Sequence, residues 1–313
     1  MSTAAPWRFL PSATAAMEAF RKRLPTRRAM AKRTVTALLL LLIAMPAVLL
    51  GGIWFFLLIG FFIVLAAWEY VRMFRAVHMQ PAAWITVGGT FLLLAARSRT
   101  VMGFLFPSAD FSPQWAATIL TCLVLIAMAV HLLSFERGRD QAALDFVITI
   151  GGFIYLGWIG AYLVDLRELP NGGWWLMFIL PTVWMADSSA YMIGAKYGKH
   201  KLAPRLSPKK SWEGYWVGVV TGTVYGGFFA WAYHVNTFPV GHLTISIWQG
   251  MSLGLVLSVL TTLGDLGESL FKRQGGIKDS GTLFPGHGGA FDRIDSWLWA
   301  AVIGVYWIQW FFL

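Results

Sequence analysis

The stretch VTALLLLLIAMPAVLLGGIWFFLLIGFFIVLAAWEYV, from Val35 to Val71, decides the fold class. It is almost uncharged over nearly twice the ~20 residues that a bilayer-spanning helix needs. Pro46 and the pair Gly51 and Gly52 are where such a run can break, so it reads as a tight hairpin of two helices. Working outward, further apolar spans are expected near 82–96, 115–134, 146–165, 174–194, 214–233, 245–264 and 296–313. The chain is thus read as an all-α polytopic integral membrane protein of about nine transmembrane helices. Composition agrees: of 313 residues 57% are hydrophobic and only 13% charged, with 17 Trp and 23 Phe. A soluble domain carries roughly a quarter charged residues.

The formal net charge of +10 would suit a nucleic-acid binder. The lysines and arginines, however, are confined to particular loops between apolar spans, without a basic face of base-stacking aromatics. Membrane orientation explains them better, and nucleic acid is excluded as a partner. With a cytoplasmic N-terminus, only Arg97, Arg99 and Arg167 fall outside, and every other lysine and arginine falls inside. That asymmetry is the one expected of a correctly counted set of spans. Residues 1–33 end in the basic block RKRLPTRRAMAKR and lack a signal-peptide cleavage pattern, so they read as a basic cytoplasmic arm. An N-terminal transmembrane scaffold over 34–173 and a C-terminal catalytic transmembrane domain over 174–313 follow. Cys122 is the single cysteine, so there is no intrachain disulfide to expect.

Two polar islands interrupt the apolar pattern, and the orientation places both in the cytoplasm. The second, GDLGESLFKRQGGIKDSGTLFPGHGGAFDRID, runs from Gly264 to Asp295. It sets Asp265, Glu268, Asp279, Asp292 and Asp295 among Lys272, Arg273, Lys278 and Arg293. Such clustering beside a bilayer is expensive unless something uses it. Asp265 and Glu268 are spaced to share one helix face, Glu268 and Lys272 are spaced to pair, and Asp292 and Asp295 repeat the first spacing where the last span begins. Oxygen-only ligation by such pairs suits Mg2+, whose shell is completed by water and substrate phosphates. His287 stands alone in a glycine turn, so zinc is poorly supported. The first island begins at Asp187, at the end of a span, where an unpartnered carboxylate is costly. It continues through a basic loop containing Ser207, Pro208, Lys209 and Lys210, and ends at Gly214, where Trp212, Glu213 and Gly214 lead back into the membrane. Lys196, Lys199 and Lys201 read as ordinary positive-inside residues. The residues alone therefore describe a cytoplasm-facing, metal-dependent site for an anionic, phosphate-bearing substrate.

The run Ser269, Lys272, Arg273, Lys278, Asp279, Gly281, Pro285, His287, Gly288, Gly289, Asp292, Arg293 and Asp295 resembles the signature of the phosphatidate cytidylyltransferase (CDP-diacylglycerol synthase) family. The segment Asp187, Ala190, Tyr191, Gly194, Ser207 to Lys210 and Trp212 to Gly214 is similar to that family's other typical region. One departure is Ala290, where the family usually has a larger aliphatic residue. The resemblance implies transfer of the cytidylyl group of CTP to phosphatidic acid, giving CDP-diacylglycerol and pyrophosphate. It implies Mg2+, allows a second cation (K+ or Mg2+), and implies a homodimer among membrane lipids, in a bacterial inner (plasma) membrane. On this reading Asp265 and Asp292 hold the metal, with Glu268, Asp295 and Asp187 as ligands or orienters. Lys209, Lys210, Lys272 and Arg273 bind phosphates, and Lys278 and Asp279 orient the loop. His287 and Arg293 complete the catalytic set, while Ser207, Glu213, Gly288 and Gly289 line the substrate. Two rivals are a CTP-dependent lipid kinase, separable by its products, and a secondary transporter. The latter is disfavoured because the charges gather at one face and no repeated halves are visible.

Overall fold

A computed structural model describes residues 42–108, 112, 114–234, 245–281 and 288–312. Apart from one short hairpin, the described regular structure is helical, as an apolar solvent demands, because peptide N–H and C=O groups must then pair within the segment. Residues 42–50 are helical. Then follow α1 (Gly52–Arg75), α2 (Ala83–Arg97), the short α3 (Arg99–Leu105) and α4 (Gln114–Glu136). Helix α5 (Ala142–Gly152) runs through a π-helical turn, Phe153–Trp158, towards α6 (Tyr162–Glu168). Beyond lie α7 (Gly172–Tyr197), α8 (Trp212–His234), α9 (Ile247–Leu260), α10 (Thr262–Gln274) and α11 (Phe291–Phe311). Among the described residues five stretches are long and apolar enough to cross a membrane: α1, α4, Ala142–Glu168, α7 and Ile247–Gln274. The expected count of nine includes a first span that lies partly outside the described residues.

In the opening stretch Pro46 sits inside the helical segment, and the break falls at Gly51 alone. Gly51 has φ +66 and Gly52 φ +51, a backbone that favours glycine. Arg167 closes the break from the other side, donating from Nε to the carbonyl of Val48 (2.8 Å) and from Nη2 to that of Leu49 (3.1 Å). The other two arginines assigned to the outer face are also engaged. Arg97 pairs with Asp165, donates to the Trp158 carbonyl and lies 4.0 Å from the Tyr162 ring centroid, while the Arg99 amide donates to Glu168. The guanidinium groups of Arg97 and Arg167 thus hold helix ends together, whereas Arg99 contributes through its backbone.

The core is formed where α1, α6, α7 and α11 meet, around Phe178, Phe291, Ile63, Leu163 and Leu298. Helices α7, α8 and α9 approach more closely than ordinary side chains permit. Gly214, Gly218, Gly222 and Gly226 recur every fourth residue on α8 and form a flat stripe. A Cβ at Gly218 would lie 2.9 Å from the Ala186 carbonyl of α7, and one at Gly226 would strike the Gly250 carbonyl of α9. In lipid, where no hydrophobic drive joins helices, such close backbone packing is the main source of attraction.

One element departs from the all-α expectation. The basic loop of the first island is a two-stranded antiparallel hairpin, β1 (Lys201–Ala203) with β2 (Ser207–Ser211), closed by a hydrogen bond from Trp212 N to the His200 carbonyl. Ser207, Pro208, Lys209 and Lys210 are therefore carried on a strand.

Candidate active site

Helix α10 is polar and buries Gly264, Glu268, Ser269 and Lys272. Gly264 makes the site possible: a Cβ there would stand 2.6 Å from the Asp295 carbonyl of α11. The two helices consequently touch one residue before Asp265, and ligand oxygens of Asp265, Glu268 and Asp295 come within 4.8 Å of one another. Two unit charges at that separation repel by about 3–4 kcal/mol at an effective dielectric constant of ~20. Glu268 is 1% exposed, and its Oε1 is buried with no hydrogen-bond partner. Lys210 reaches in from β2, its Nζ 2.6 Å from Asp265 Oδ2. Asp187, on α7, feels the charges of Lys210 and Asp265. Four separate elements thus bring the two islands to one place.

A second set of bonds fixes the loop between α10 and α11. Lys272 Nζ lies 2.7 Å from Glu268 Oε2 and 2.7 Å from Asp292 Oδ1. Asp292 Oδ2 accepts from Ser280 N, Ser280 Oγ and Gly289 N, each at 2.9 Å. Asp292 thereby stands beside the three-carboxylate cluster, joined to it through Lys272. Behind the loop is Glu69 of α1, 4% exposed, a residue that the sequence reading passed over. Its Oε1 accepts from Ala290 N (2.9 Å) and its Oε2 from Phe291 N (2.9 Å), and the Ser280 hydroxyl, 2.8 Å from Oε2, has one proton to share between Glu69 and Asp292. Gly281 and Gly289 pass directly over Glu69, and Gly288, at φ +81, over Asp292. A side chain at Gly281 or Gly289 would displace the Glu69 carboxylate, and one at Gly288 that of Asp292. That is a steric reason for these glycines, distinct from phosphate contact.

Other expected residues lie further out. Arg273 donates from Nε to the Leu206 carbonyl (3.1 Å), tying α10 to the hairpin. Lys209, Lys278 and Asp279 are exposed, and Ser207 opens β2. Glu213 accepts from His200 Nδ1 at 2.7 Å. Arg293 is half-buried, with Nε buried and unpartnered. His287 lies outside the described residues. Besides Glu69, the structure adds Ser280 and Tyr155. The π-helical turn carries Tyr155, whose hydroxyl accepts from Trp299 Nε1 (3.0 Å) and feels the charges of Asp295 and Glu268. An ionisable residue inside an apolar span was the available signal for Glu69. Tyr155 had none, since an aromatic in a span is ordinarily packing.

Among the described residues, the cations paired with the carboxylates of Asp187, Asp265, Glu268, Asp292 and Asp295 are Lys210 and Lys272, so the cluster carries excess negative charge. A set of carboxylate oxygens with one orphaned buried member fits a hard divalent cation. With lysines beside it, the arrangement offers point charges to anionic oxygens.

Comparison with known proteins gives a consistent picture. The model of the cytidylyltransferase family matches residues 31–311. The chain is similar to the phosphatidate cytidylyltransferase of Synechocystis sp., 32% identical over 306 residues, covering 88% of this chain and 96% of the relative. It is 36% identical over 277 residues to the Pseudomonas aeruginosa phosphatidate cytidylyltransferase, covering 85% and 92%. It is 31% identical over 273 residues to that of Staphylococcus haemolyticus, covering 85% and 94%.

Proposed function

The chain belongs to the cytidylyltransferase family, and from that premise we propose that it transfers the cytidylyl group of CTP to phosphatidic acid, yielding CDP-diacylglycerol and pyrophosphate. It is a nucleotidyltransferase with membrane-spanning helices. The observation that carries the reading is the meeting of Asp265, Glu268 and Asp295 with Lys210 and Lys272 at the ends of apolar helices. There a soluble nucleotide and a lipid headgroup can reach one point.

In the proposed reaction a phosphate oxygen of phosphatidate forms a bond to the α-phosphorus of CTP. The bond from that phosphorus to the bridging oxygen of pyrophosphate breaks, and the electron pair leaves with pyrophosphate. No protein nucleophile is needed, so the chain contributes positioning and charge neutralisation. Lys210 and Lys272 are held by carboxylates at the edge of the cluster and are poised to meet phosphate oxygens as point charges. Lys209, next to Lys210, and Arg293, next to Asp292, supply further positive charge, and Arg273 ties α10 to the hairpin. The family implies a divalent metal, here assigned as Mg2+, which neutralises negative charge between phosphate groups when bound. Asp265, Glu268 and Asp295 would hold it, with Asp187 and Asp292 as neighbours that orient or complete the set. Glu69, Ser280 and the backbone of Gly289 keep Asp292 and Lys272 in place. The site faces the cytoplasm of the plasma membrane, on the side where the basic loops gather.

The test is an assay with CTP labelled at the α-phosphate, phosphatidate, Mg2+ and purified protein. Labelled lipid with unlabelled pyrophosphate is the expected outcome. In a parallel arm with diacylglycerol in place of phosphatidate, labelled CDP with an unlabelled lipid phosphate would indicate a CTP-dependent lipid kinase; that result, or no labelled lipid from phosphatidate, would overturn the proposal.

A further inference from the structure

Lys199 and Lys201 accounted for nothing beyond orientation in the sequence, yet the fold gathers them with two indoles around one groove. It has a volume of ≈ 730 Å3 and is lined by Lys199 and Lys201 together with His200, Glu213, Trp212 and Trp216. A smaller groove of ≈ 510 Å3 adjoins it and adds Lys196 and Tyr197. Asp187, Asp265, Glu268, Asp292 and Asp295 line neither groove, so both are separate from the carboxylate site.

The location is informative. Tyr197 ends α7 and Trp212 begins α8, so the grooves open where two long helices leave the apolar layer. Trp212 and Trp216, 45% and 56% exposed, are one helical turn apart on the same side of α8. Indoles at a span terminus occupy the headgroup level of a bilayer. The one acidic lining residue, Glu213, is taken up by His200, through its backbone N (3.1 Å) and Nδ1 (2.7 Å). Lys196, Lys199 and Lys201 are left as a net positive rim over an aromatic floor. A free phosphate would use the lysines and leave the indoles without a role. A lipid uses both, with its anionic head on the lysines and its glycerol and upper acyl region against the rings.

We propose that this groove binds an anionic phospholipid of the surrounding leaflet, at a site distinct from the carboxylate cluster. The inference does not depend on the reaction proposed above.

The test uses the purified full chain in detergent, with bound lipid followed by native mass spectrometry. Phosphatidylglycerol is titrated against phosphatidylcholine of the same acyl composition. Two variants losing the same charge are compared: K199Q/K201Q in the groove, and R72Q/R137Q on exposed arginines elsewhere. Wild type and R72Q/R137Q are expected to retain phosphatidylglycerol preferentially, and K199Q/K201Q to bind it about tenfold more weakly. Glycerol 1-phosphate at equal concentration is expected not to displace the lipid. Equal phosphatidylglycerol binding by all three proteins, equal loss in both variants, or full displacement by glycerol 1-phosphate would each overturn the proposal. Cytidylyl transfer measured with saturating phosphatidate in the same micelles is expected to be unchanged in both variants. Loss of transfer in wild type would therefore count against the reaction and leave the lipid result standing.

Discussion

Replacing Glu69 by glutamine tests whether a residue over two hundred positions away in sequence organises the site. The wild-type carboxylate accepts from Ala290 N and Phe291 N, both at 2.9 Å, and shares the proton of the Ser280 hydroxyl, 2.8 Å away, with Asp292. Glutamine keeps the shape but turns one acceptor into a donor. Its least damaging orientation puts the NH2 towards Ala290, which leaves one buried amide unsatisfied and strips charge assistance from the other two bonds. An unsatisfied buried donor costs about 1–3 kcal/mol, and charged hydrogen bonds are worth about twice neutral ones, so the loss is expected to be roughly 2–4 kcal/mol. Because Ser280 and Gly289 also hold Asp292, turnover should fall along with stability. The measurements are reversible unfolding in mixed micelles and initial rates of cytidylyl transfer. Unfolding free energy within about 0.5 kcal/mol of wild type, with an unchanged rate, would refute the role assigned to Glu69.

Other outcomes follow from the same geometry. Asp265→Asn is expected to abolish transfer without lowering the melting temperature, since it relieves repulsion in the cluster while removing a proposed ligand; rate and melting curve check this together. Lys272→Met should destabilise by about 3–5 kcal/mol, because Glu268, at 1% exposure, loses its counter-charge; adding Glu268→Gln should restore folding but not activity. Gly226→Ala gains about 1 kcal/mol of helix propensity yet should still lower the melting temperature, because its methyl group meets the Gly250 backbone. Chelation by EDTA should stop transfer, and Mg2+ should restore it and raise the melting temperature of wild type but not of Asp265→Asn/Glu268→Gln.

Much of the site could be read without coordinates because its spacing is helical. Asp265, Glu268 and Lys272 lie on one turn-spaced face, and the Glu268–Lys272 pair forms as that spacing requires. Long-range partners carry no such signature. Nothing local indicates that Lys210 would meet Asp265, or that Glu69 would cap the backbone ahead of α11. The expected basic loop became a strand because the residues after α7 return to pair before α8 begins. The glycines of α8 recur every four residues, but only the neighbouring helices show that backbone contact is the reason.

What the sequence by itself determined is the class of protein and the chemical vocabulary of its site. Both follow from local quantities, namely apolar length against bilayer thickness and the identity of charged residues beside it. Only the tertiary structure decided which charges meet. It placed Asp265, Glu268 and Asp295 within 4.8 Å, coupled Asp292 to them through Lys272, and brought Glu69 from the first described span behind the loop. The physical reason is that Coulomb and hydrogen-bond energies depend on distance in space. That distance was set by small residues such as Gly264, which allow two helices to touch where their carboxylates lie.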